Sequence, residues 1–218
     1  MTRALIVLTS HSRLGDTGLS TGFHAGEAAE PWATFRRAGL DVDVASVAGG
    51  RPTVDGHDES DTDQREFFAT VDLDALPAAA GLDPSSYDVV FFAGGHGTMW
   101  DFPGNAALQR LAAGVYERGG VVAAVCHGPA ALVGLSLSDG THLVAGKRVA
   151  AFTNEEEAAA GRTDVVPFLL ADALVEHGAT HVPGPMWTEQ VVVDGRLVTG
   201  QNPQSARGAA EQVVKIVS

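Results

Sequence analysis

The sequence predicts an α/β protein built on a doubly wound, mostly parallel sheet flanked by helices. Short apolar runs alternate with helical patterns along the whole chain, several of these runs end at glycines, and no repeat or linker interrupts the alternation. A chain of 218 residues, 45% of them hydrophobic, is long enough to bury one large core. We therefore expect residues 1–218 to form a single domain.

Three strand candidates and one helix lie in the first half of the chain. Residues 3–9 and 87–93 are continuous apolar runs, as is typical of central parallel strands. Residues 40–47 alternate with aspartates, which indicates a strand nearer the edge of the sheet. The helical pattern over 23–38 ends at Gly39, a common helix stop signal.

The second half continues the alternation of strands and helices. Helical patterns cover residues 105–117, 164–177 and 203–216. A further strand candidate spans residues 148–152. Residues 190–200 read as a hairpin, because two β-branched runs flank an Asp-Gly turn.

The stretch from Gly119 to Leu132 is the strongest candidate for a reactive site. An apolar, β-branched run breaks at Cys126-His127-Gly128-Pro129 and resumes as a small-residue helix. This pattern predicts a nucleophile elbow, in which a strained turn presents the cysteine at a helix N-terminus whose partial positive charge favours a thiolate. The alternative is that Cys126 is a small buried hydrophobic residue.

Three segments with reactive or glycine-rich residues are expected at the carboxyl edge of the sheet, where sites of doubly wound folds lie. They are residues 9–11, the Gly-Gly-His-Gly stretch at 94–97, and Cys126-His127. Their backbone N–H groups would approach the sulfur, as an oxyanion hole requires. Residues 94–97 could also be a simple tight turn, and they lack the pattern of a phosphate-binding loop.

Composition excludes several classes of partner. The 14 basic and 27 acidic residues give a net charge of −13, which argues against binding to nucleic acid or to anionic membranes. The single cysteine excludes an intramolecular disulfide and suits a reducing compartment. With neither a signal-peptide pattern nor a membrane-length apolar run, we expect a cytoplasmic protein. The histidines outside the elbow lack paired ligand spacing, so we expect no metal and no cofactor.

Six groups of residues, taken together, identify a known family. The sequence is identified as a member of the ThiJ/PfpI superfamily, within the flavodoxin-like, class I glutamine amidotransferase-like fold. It resembles most the branch of small stress-induced chaperones with glutathione-independent glyoxalase activity (glyoxalase III, D-lactate dehydratase). The groups that carry the resemblance are Thr21-Gly22-Phe23 with Glu27 and Pro31-Trp32; Arg37-Ala38-Gly39 with Val44-Ala45-Ser46; residues 91–97; residues 124–129; Phe152-Thr153-Asn154 with Glu155, Glu156 and Glu157; and residues 198–203.

The resemblance implies roles for particular residues. Cys126 would be the nucleophile, and Glu27 the acid whose carboxyl lies against its sulfur. His127 would be the histidine of a triad, oriented by Glu157, with Glu156 as the rival. Gly95 and the backbone of His127 would supply the oxyanion hole.

Other interpretations of the acidic residues remain open. Glu27 could lie on the solvated face of an acidic helix. Residues 155–157 could be an ordinary acidic helix start, favoured by the helix dipole. His96 is expected to line the pocket with Gly95. Trp187 could belong to a core or interface, although its Gly- and Pro-rich loop could also cover the site and contact substrate.

The sequence departs from the branch at three positions near the expected site. Gly26 stands where a second glutamate is usual, His24 where a bulky aromatic is frequent, and Val47 where a proline is common. These changes leave the reactive groups in place and bear on the shape of the pocket.

The resemblance implies an enzyme that converts methylglyoxal, or another 2-oxoaldehyde, into a 2-hydroxy acid through a Cys126 hemithioacetal, with protein deglycase activity as an allied possibility. Two alternatives remain: a cysteine peptidase or amidase with a Cys126-His127-Glu157 triad, and a non-enzymatic stress chaperone or redox sensor. The expected partner is a small aldehyde. By analogy with the family, the chain is expected to form a homodimer.

Overall fold

Within residues 2–218, which the computed structural model describes, the chain forms ten strands and seven α-helices; Met1 lies outside the described residues. The strands are β1 Arg3–Leu8, β2 Phe23–His24, β3 Asp41–Ser46, β4 Val54–Asp55, β5 Val89–Phe92, β6 Val121–Val125, β7 Arg148–Val149, β8 Thr180–His181, β9 Val191–Asp194 and β10 Leu197–Gly200. The helices are α1 Ala25–Arg37, α2 Thr62–Thr70, α3 Thr98–Asp101, α4 Ala106–Glu117, α5 Asn154–Ala159, α6 Leu170–Glu176 and α7 Ala206–Val217. None of these helices is both long enough and apolar enough to cross a membrane.

Six of the strands form the main sheet, in the order β3-β1-β5-β6-β10-β9. The first five run parallel, and β9 pairs antiparallel with β10 at one edge. The doubly wound, mostly parallel sheet predicted from the sequence is therefore confirmed. The aspartate-containing strand β3 lies at the other edge, as its alternating pattern predicted.

Helices cover both faces of this sheet. Because successive side chains of a strand point to opposite faces, Leu5 and Val7 of β1 pack in one core while Ala4, Ile6 and Leu8 pack in the other. The first core includes α4 and α6, and the second includes α1, α2 and α7. Burial on both faces explains why the strand reads as a continuous apolar run.

The start of α1 differs from the prediction. The helical pattern over 23–38 begins as a helix only at Ala25, because Phe23 and His24 form β2 and pair with β4. The Phe23 N–H donates to the carbonyl of Thr53, and the His24 N–H donates to that of Gly94, both at 3.0 Å. These tertiary hydrogen bonds hold the two residues in extended backbone.

Two further elements are shorter than the sequence predicted. The helix predicted over 164–177 is confined to α6, since Pro167 disfavours helical backbone at the residue before it. The strand predicted over 148–152 is limited to β7, which pairs with β8 outside the main sheet. The hairpin prediction is confirmed: Asp194 pairs with Leu197 across a two-residue turn.

The topology brings three loops to one edge of the sheet. β1, β5 and β6 are adjacent and parallel, so the segments that follow them meet at their carboxyl ends. The buried Thr98 hydroxyl links two of these segments, because it hydrogen-bonds to the carbonyl of Gly95 at 2.9 Å and to that of His127 at 3.0 Å. The expected site thus lies at the carboxyl edge.

Candidate active site

Cys126 occupies a strained turn directly after β6. Its φ of 59° lies in the left-handed region that residues other than glycine rarely adopt. The Cys126 N–H donates to the carbonyl of Gly200, and the Phe152 N–H donates to the carbonyl of Cys126, both at 3.0 Å. A Cβ at Gly128 would lie 2.2 Å from the carbonyl oxygen of Phe92, so only glycine fits there. The structure thus has the strained strand-to-helix turn predicted at this position.

The segment after the cysteine corrects two expectations. It is a 3-10 helix over Gly128–Leu132 and continues into no α-helix. The pKa of the Cys126 thiol is also raised well above its ordinary value, because the thiol is buried and faces the Glu27 carboxyl. The prediction that a helix N-terminus would favour a thiolate was therefore wrong: one short turn supplies little dipole, while burial penalises the charge.

Glu27 lies on α1 with its carboxyl buried against the sulfur. The side chain is fully buried, so the interpretation of a solvated face was wrong. Oε2 accepts a hydrogen bond from the Gly94 N–H at 3.0 Å, and the carboxyl faces the Cys126 thiol. Burial raises the pKa of Glu27 to about 8, although the Gly94 N–H and the neighbouring thiol oppose the shift. Since the pKa values of both the carboxyl and the thiol are raised above 7, both groups are mostly protonated at neutral pH, and the carboxyl is the first of the two to ionise.

Gly94 is required for this contact. A Cβ at this position would lie 2.4 Å from Glu27 Oε2 and 2.6 Å from the carbonyl oxygen of Val125. Any side chain would therefore push the carboxyl or the elbow out of place.

His127 connects the cysteine to an acid. Its Nδ1 lies 3.4 Å from Cys126 Sγ, and its Nε2 lies 2.8 Å from Glu157 Oε2. Burial and the neighbouring His96 lower the pKa of His127 to about 4, although Glu157 opposes the shift. A neutral imidazole whose Nε2–H donates to the carboxylate leaves the Nδ1 lone pair facing the sulfur.

Glu157 accepts hydrogen bonds from two histidines. Oε1 lies 2.9 Å from His96 Nε2, and Oε2 faces His127. Burial alone would raise the pKa of Glu157, but hydrogen bonds from His127 and His96 lower it to about 2. The ionised carboxylate can only accept, so both ring nitrogens that face it carry a proton.

Glu156 has a different task from Glu157. It closes a capping box with Thr153 at the start of α5. Its Oε1 accepts hydrogen bonds from the Trp187 N–H at 3.0 Å, from Gln201 Nε2 at 3.1 Å and from Asn202 Nδ2 at 2.8 Å. The rivalry between the two glutamates is thus decided by geometry: Glu157 faces His127, and Glu156 fastens the loop that carries Trp187.

Two backbone N–H groups near the sulfur are free to bind an oxygen atom. Within residues 2–218, neither the Gly95 N–H nor the His127 N–H donates to a backbone carbonyl, and the His127 N–H acts on the Cys126 sulfur, where it favours the thiolate. Gly95 has a φ of 109°, and a Cβ there would lie 2.3 Å from the carbonyl oxygen of Gly22. Both groups have the character that an oxyanion hole needs.

Trp187 lies beside this cluster on a partly exposed loop. The side chain is 43% exposed, the residue has a φ of 57°, and its ring centroid is 5.7 Å from that of Phe152. Phe152 in turn contacts the His127 ring at 4.3 Å. Trp187 is therefore a partly exposed residue beside the site and not a core residue. A separate surface cavity of about 570 Å³ includes Trp100 and His11, from the segment expected at the carboxyl edge, in its lining but none of the residues proposed as catalytic or substrate-binding.

One cluster has the donor atoms of a metal site. Ligand atoms of His96, His127 and Glu157 lie within 4.8 Å of one another. Each histidine already hydrogen-bonds to the carboxylate, so an ion could enter only by replacing both bonds. The absence of a metal or cofactor stays a prediction.

Comparison with known proteins identifies the family. A family model described as the DJ-1/PfpI family matches residues 19–216. The chain belongs to the DJ-1/PfpI family. Within it, the chain falls in the glyoxalase III/HSP31 branch, which confirms the resemblance stated from the sequence.

Three relatives match this chain over nearly the full length of both sequences. Glyoxalase 3 of Candida albicans is 36% identical, and the match covers 98% of each chain. The glutathione-independent glyoxalase HSP31 of Saccharomyces cerevisiae is 33% identical over 95% of this chain and 94% of its own. The crystal structure of the rapid encystment protein of 24 kDa from Francisella tularensis is 35% identical, covers 100% of both chains and superposes with a TM-score of 0.96.

The structure brings together all the residues that the sequence had proposed as catalytic. Cys126, His127 and Glu157 form one hydrogen-bonded series, and the Glu27 carboxyl faces the sulfur at its end. Sequence reasoning missed the bond between His96 and Glu157, although the Gly-Gly-His-Gly pattern had placed His96 in the pocket. It also missed the role of Glu156, which a Thr-x-x-Glu capping pattern at Thr153 could have indicated.

Proposed function

We propose that this chain is a glutathione-independent glyoxalase that converts methylglyoxal, or a related 2-oxoaldehyde, into the 2-hydroxy acid. The observation that carries the proposal is the fully buried Glu27 carboxyl, which faces the thiol of the single cysteine and helps to raise its pKa. A carboxyl beside a nucleophile can take a proton from one substrate carbon and deliver it to the next, which is the proton transfer that the reaction needs. The names of the full-length relatives agree with this activity.

The reaction begins with addition of Cys126 Sγ to the aldehyde carbon. The reacting form is the one in which Glu27 is ionised: as the C–S bond forms, the thiol proton passes to the Glu27 carboxylate, and the carbonyl electron pair moves onto oxygen. The oxyanion of this hemithioacetal is held by the N–H groups of Gly95 and His127. Because the proton stays within the buried pair, the addition step needs no free thiolate in the apolar site.

Glu27 then moves protons between the two adjacent carbons. Its protonated oxygen gives a proton to the ketone oxygen while its other oxygen takes the hydrogen of the former aldehyde carbon, which yields an enediolate. Glu27 next delivers that proton to the second carbon. The oxyanion collapses to a carbonyl, so the product is a hydroxyacyl thioester on Cys126 and Glu27 is again a carboxylate.

Hydrolysis of the thioester completes the cycle. A water molecule loses a proton to His127 Nδ1 as its oxygen attacks the thioester carbon. Cys126 leaves as a thiolate, takes that proton back from His127, and the 2-hydroxy acid departs. Glu157, which is ionised and faces His127 Nε2, stabilises the imidazolium that forms during this step.

Access to the sulfur favours small substrates. Cys126 is only 4% exposed, so a compact aldehyde reaches it more readily than a folded protein or a peptide segment. The alternative of a cysteine peptidase or amidase is supported by the contacts of His127 with Cys126 and Glu157. A hydrolase of small esters or amides is the form of that alternative which this narrow opening admits.

The decisive experiment measures lactate formation from methylglyoxal without glutathione or added metal. We expect turnover by the natural protein, a fall to the uncatalysed background in Cys126→Ala, and a loss of at least about 100-fold in Glu27→Gln. Thermal melting of each variant checks that the fold is intact. A fully active Cys126→Ala variant would contradict the mechanism, and ester hydrolysis without lactate formation by the natural protein would favour the hydrolase.

We further propose that residues 1–218 act as one domain, that the chain forms a homodimer, and that it works in the cytoplasm. The first proposal predicts a single cooperative unfolding transition. The second follows from the family analogy and predicts twice the monomer mass of 22.5 kDa in light scattering.

A further inference from the structure

Two buried polar atoms face each other beside the proposed active site without a hydrogen-bond partner. His24 Nδ1 and Glu27 Oε1 lie 3.7 Å apart. Within residues 2–218, the only other buried side-chain nitrogen or oxygen without a partner is Asn154 Oδ1. Buried polar groups are nearly always paired, so an unpaired couple next to a reactive thiol calls for an explanation in function.

The chain places His24 there by local geometry. His24 is the residue before α1, and the spacing of three residues puts its side chain on the same face as Glu27. Its N–H donates to the Gly94 carbonyl, which fixes the start of the helix against the Gly-Gly-His-Gly loop. The same glycine donates its N–H to Glu27, so one residue positions both side chains.

The His24 ring spans the distance from the buried carboxyl to the surface. Glu27 is fully buried, whereas the His24 side chain is 31% exposed even though its Nδ1 is buried. The exposed part of the ring therefore lies away from the carboxyl. On that side a Cβ at Gly56 would come within 2.5 Å of Nε2, so the glycine leaves this nitrogen room.

The replacement of a second acid by Gly26 opens space around the same ring. A Cβ at Gly26 would lie 3.5 Å from the nearest ring carbon of His24 and 3.6 Å from Gln64 Nε2. Gly26 therefore lies directly against the imidazole. The unusual histidine and the unusual glycine noted in the sequence thus form one local arrangement.

Burial favours the neutral form of the imidazole, against the effect of a nearby carboxylate. Burial lowers the pKa of His24, and Asp55 on β4 opposes that shift. The other groups that face the ring are Glu27 on its own helix and the uncharged Gln64 on α2. A neutral imidazole can accept a proton on one nitrogen and release one from the other, which a charged ring cannot do.

We propose that His24 is a proton relay between Glu27 and solvent. The inference rests on the proposed function and adds a second group to its proton chemistry. In the relay step the Glu27 carboxyl gives its proton to His24 Nδ1 while His24 Nε2 gives its proton to water. The ring ends as the other tautomer, and the reverse step loads the carboxylate. Because 3.7 Å exceeds hydrogen-bond length, the ring turns toward the carboxyl for each transfer.

The relay has a chemical consequence in the product. Glu27 holds the hydrogen taken from the aldehyde carbon until it protonates the second carbon. If His24 connects Glu27 to solvent in that interval, the hydrogen exchanges, and the second carbon receives a solvent proton. A sealed carboxyl would instead return the original hydrogen.

The test runs the reaction of methylglyoxal in D2O and measures deuterium at the second carbon of lactate by NMR. We expect high incorporation with the natural protein and at least a several-fold lower incorporation with His24→Phe, which keeps the ring and removes both nitrogens. If the Phe variant fails to fold, deuterium incorporation is measured with His24→Gln instead. An amide cannot exchange tautomers, so this variant should also show lower incorporation. His57→Phe, at an exposed histidine beside Gly56, is the matched control and should keep the incorporation of the natural protein.

The outcomes separate the relay from the proposed function. Lactate with little deuterium from the natural protein, or equal deuterium from the natural protein and both His24 variants, would overturn the relay and leave the glyoxalase intact. No lactate from the natural protein, with its thiol confirmed as reduced, would remove the proposed function on which the relay rests and the relay with it.

Discussion

Glu157 Oε1 accepts a hydrogen bond from His96 Nε2 at 2.9 Å, so the acid of the proposed triad serves two histidines at once. Its other oxygen faces His127, and the two imidazole rings lie 4.2 Å apart between their centroids. The arrangement ties the loop after β5 to the elbow after β6. It also makes the proton affinity of His127 depend on a residue 31 positions earlier in the chain.

Removal of His96 should change the pH dependence of the reaction. His96 helps to lower the pKa of His127, so His96→Leu should raise that pKa and move the acid limb of kcat/KM against pH toward neutral. We expect about a tenfold loss of kcat/KM, the equivalent of one hydrogen bond of about 1.4 kcal/mol. His96→Gln retains a donor for Glu157 and should keep more of the activity. An unchanged pH profile in His96→Leu would contradict the coupling.

Loss of the Glu27 charge should separate thiol reactivity from catalysis. The Glu27 carboxylate is one cause of the raised pKa of Cys126, so Glu27→Gln should lower that pKa. Alkylation of Cys126 by iodoacetamide above pH 8, where the Glu27 carboxyl is ionised, should then become faster while lactate formation is lost. Glu30→Gln removes the same charge one turn along α1 and should leave the alkylation rate near that of the natural protein. Slower alkylation in Glu27→Gln would mean that the carboxylate activates the thiol.

The buried carboxyl should make stability depend on pH. Glu27 has a pKa of about 8 in the folded protein against an ordinary value of 4.5, so the folded state binds the proton more tightly. Its contribution is fully present below pH 4.5 and is lost as pH rises toward 8. As pH rises from 4.5 to 8, the free energy of unfolding of the natural protein should therefore fall by on the order of 3 kcal/mol relative to that of Glu27→Gln. Urea unfolding of both proteins at pH 4.5 and at pH 8 checks this. The same difference in the free energy of unfolding at both pH values would contradict it.

Glu156 should act on substrate binding through the loop that carries Trp187. Glu156→Gln weakens the acceptor shared by the Trp187 N–H and two amide side chains, so the loop should loosen. We expect a raised KM for methylglyoxal with a smaller effect on kcat, and a free energy of unfolding lower by about 1–2 kcal/mol. Glu155→Gln, at the exposed neighbour on α5, should change neither constant. A loss confined to kcat would assign Glu156 to the chemistry instead.

Local sequence patterns determined the fold class and the position of the reactive turn. The continuous apolar runs of β1 and β5 indicated strands buried on both faces, and helices do cover both faces of the sheet. The break at Cys126 indicated a strained turn, and the backbone there has a positive φ. These features could be predicted because the burial of a strand and the conformation of a turn depend on the residue types in a short consecutive segment.

Helix and strand bounds were less predictable where tertiary contacts compete with local preference. Phe23 and His24 have a helical pattern, yet their N–H groups bind the carbonyls of Thr53 and Gly94 and hold them extended. Helix α6 begins only after Pro167. This proline is a local signal against a helix at the preceding residue, but the prediction gave more weight to the helical periodicity.

Only the tertiary structure decided the chemistry of the site. Glu156 and Glu157 are neighbours in sequence, and which of them meets His127 depends on the direction in which α5 crosses the elbow. The sequence could assign a cysteine, a histidine and acids to one edge of the sheet, but the pKa of each group is set by burial and by partners many residues away. Burial raises the pKa values of Glu27 and Cys126, and the long-range contact of His24 with the Gly94 loop sets the relay, because solvent exclusion and distance exist only once the chain has folded.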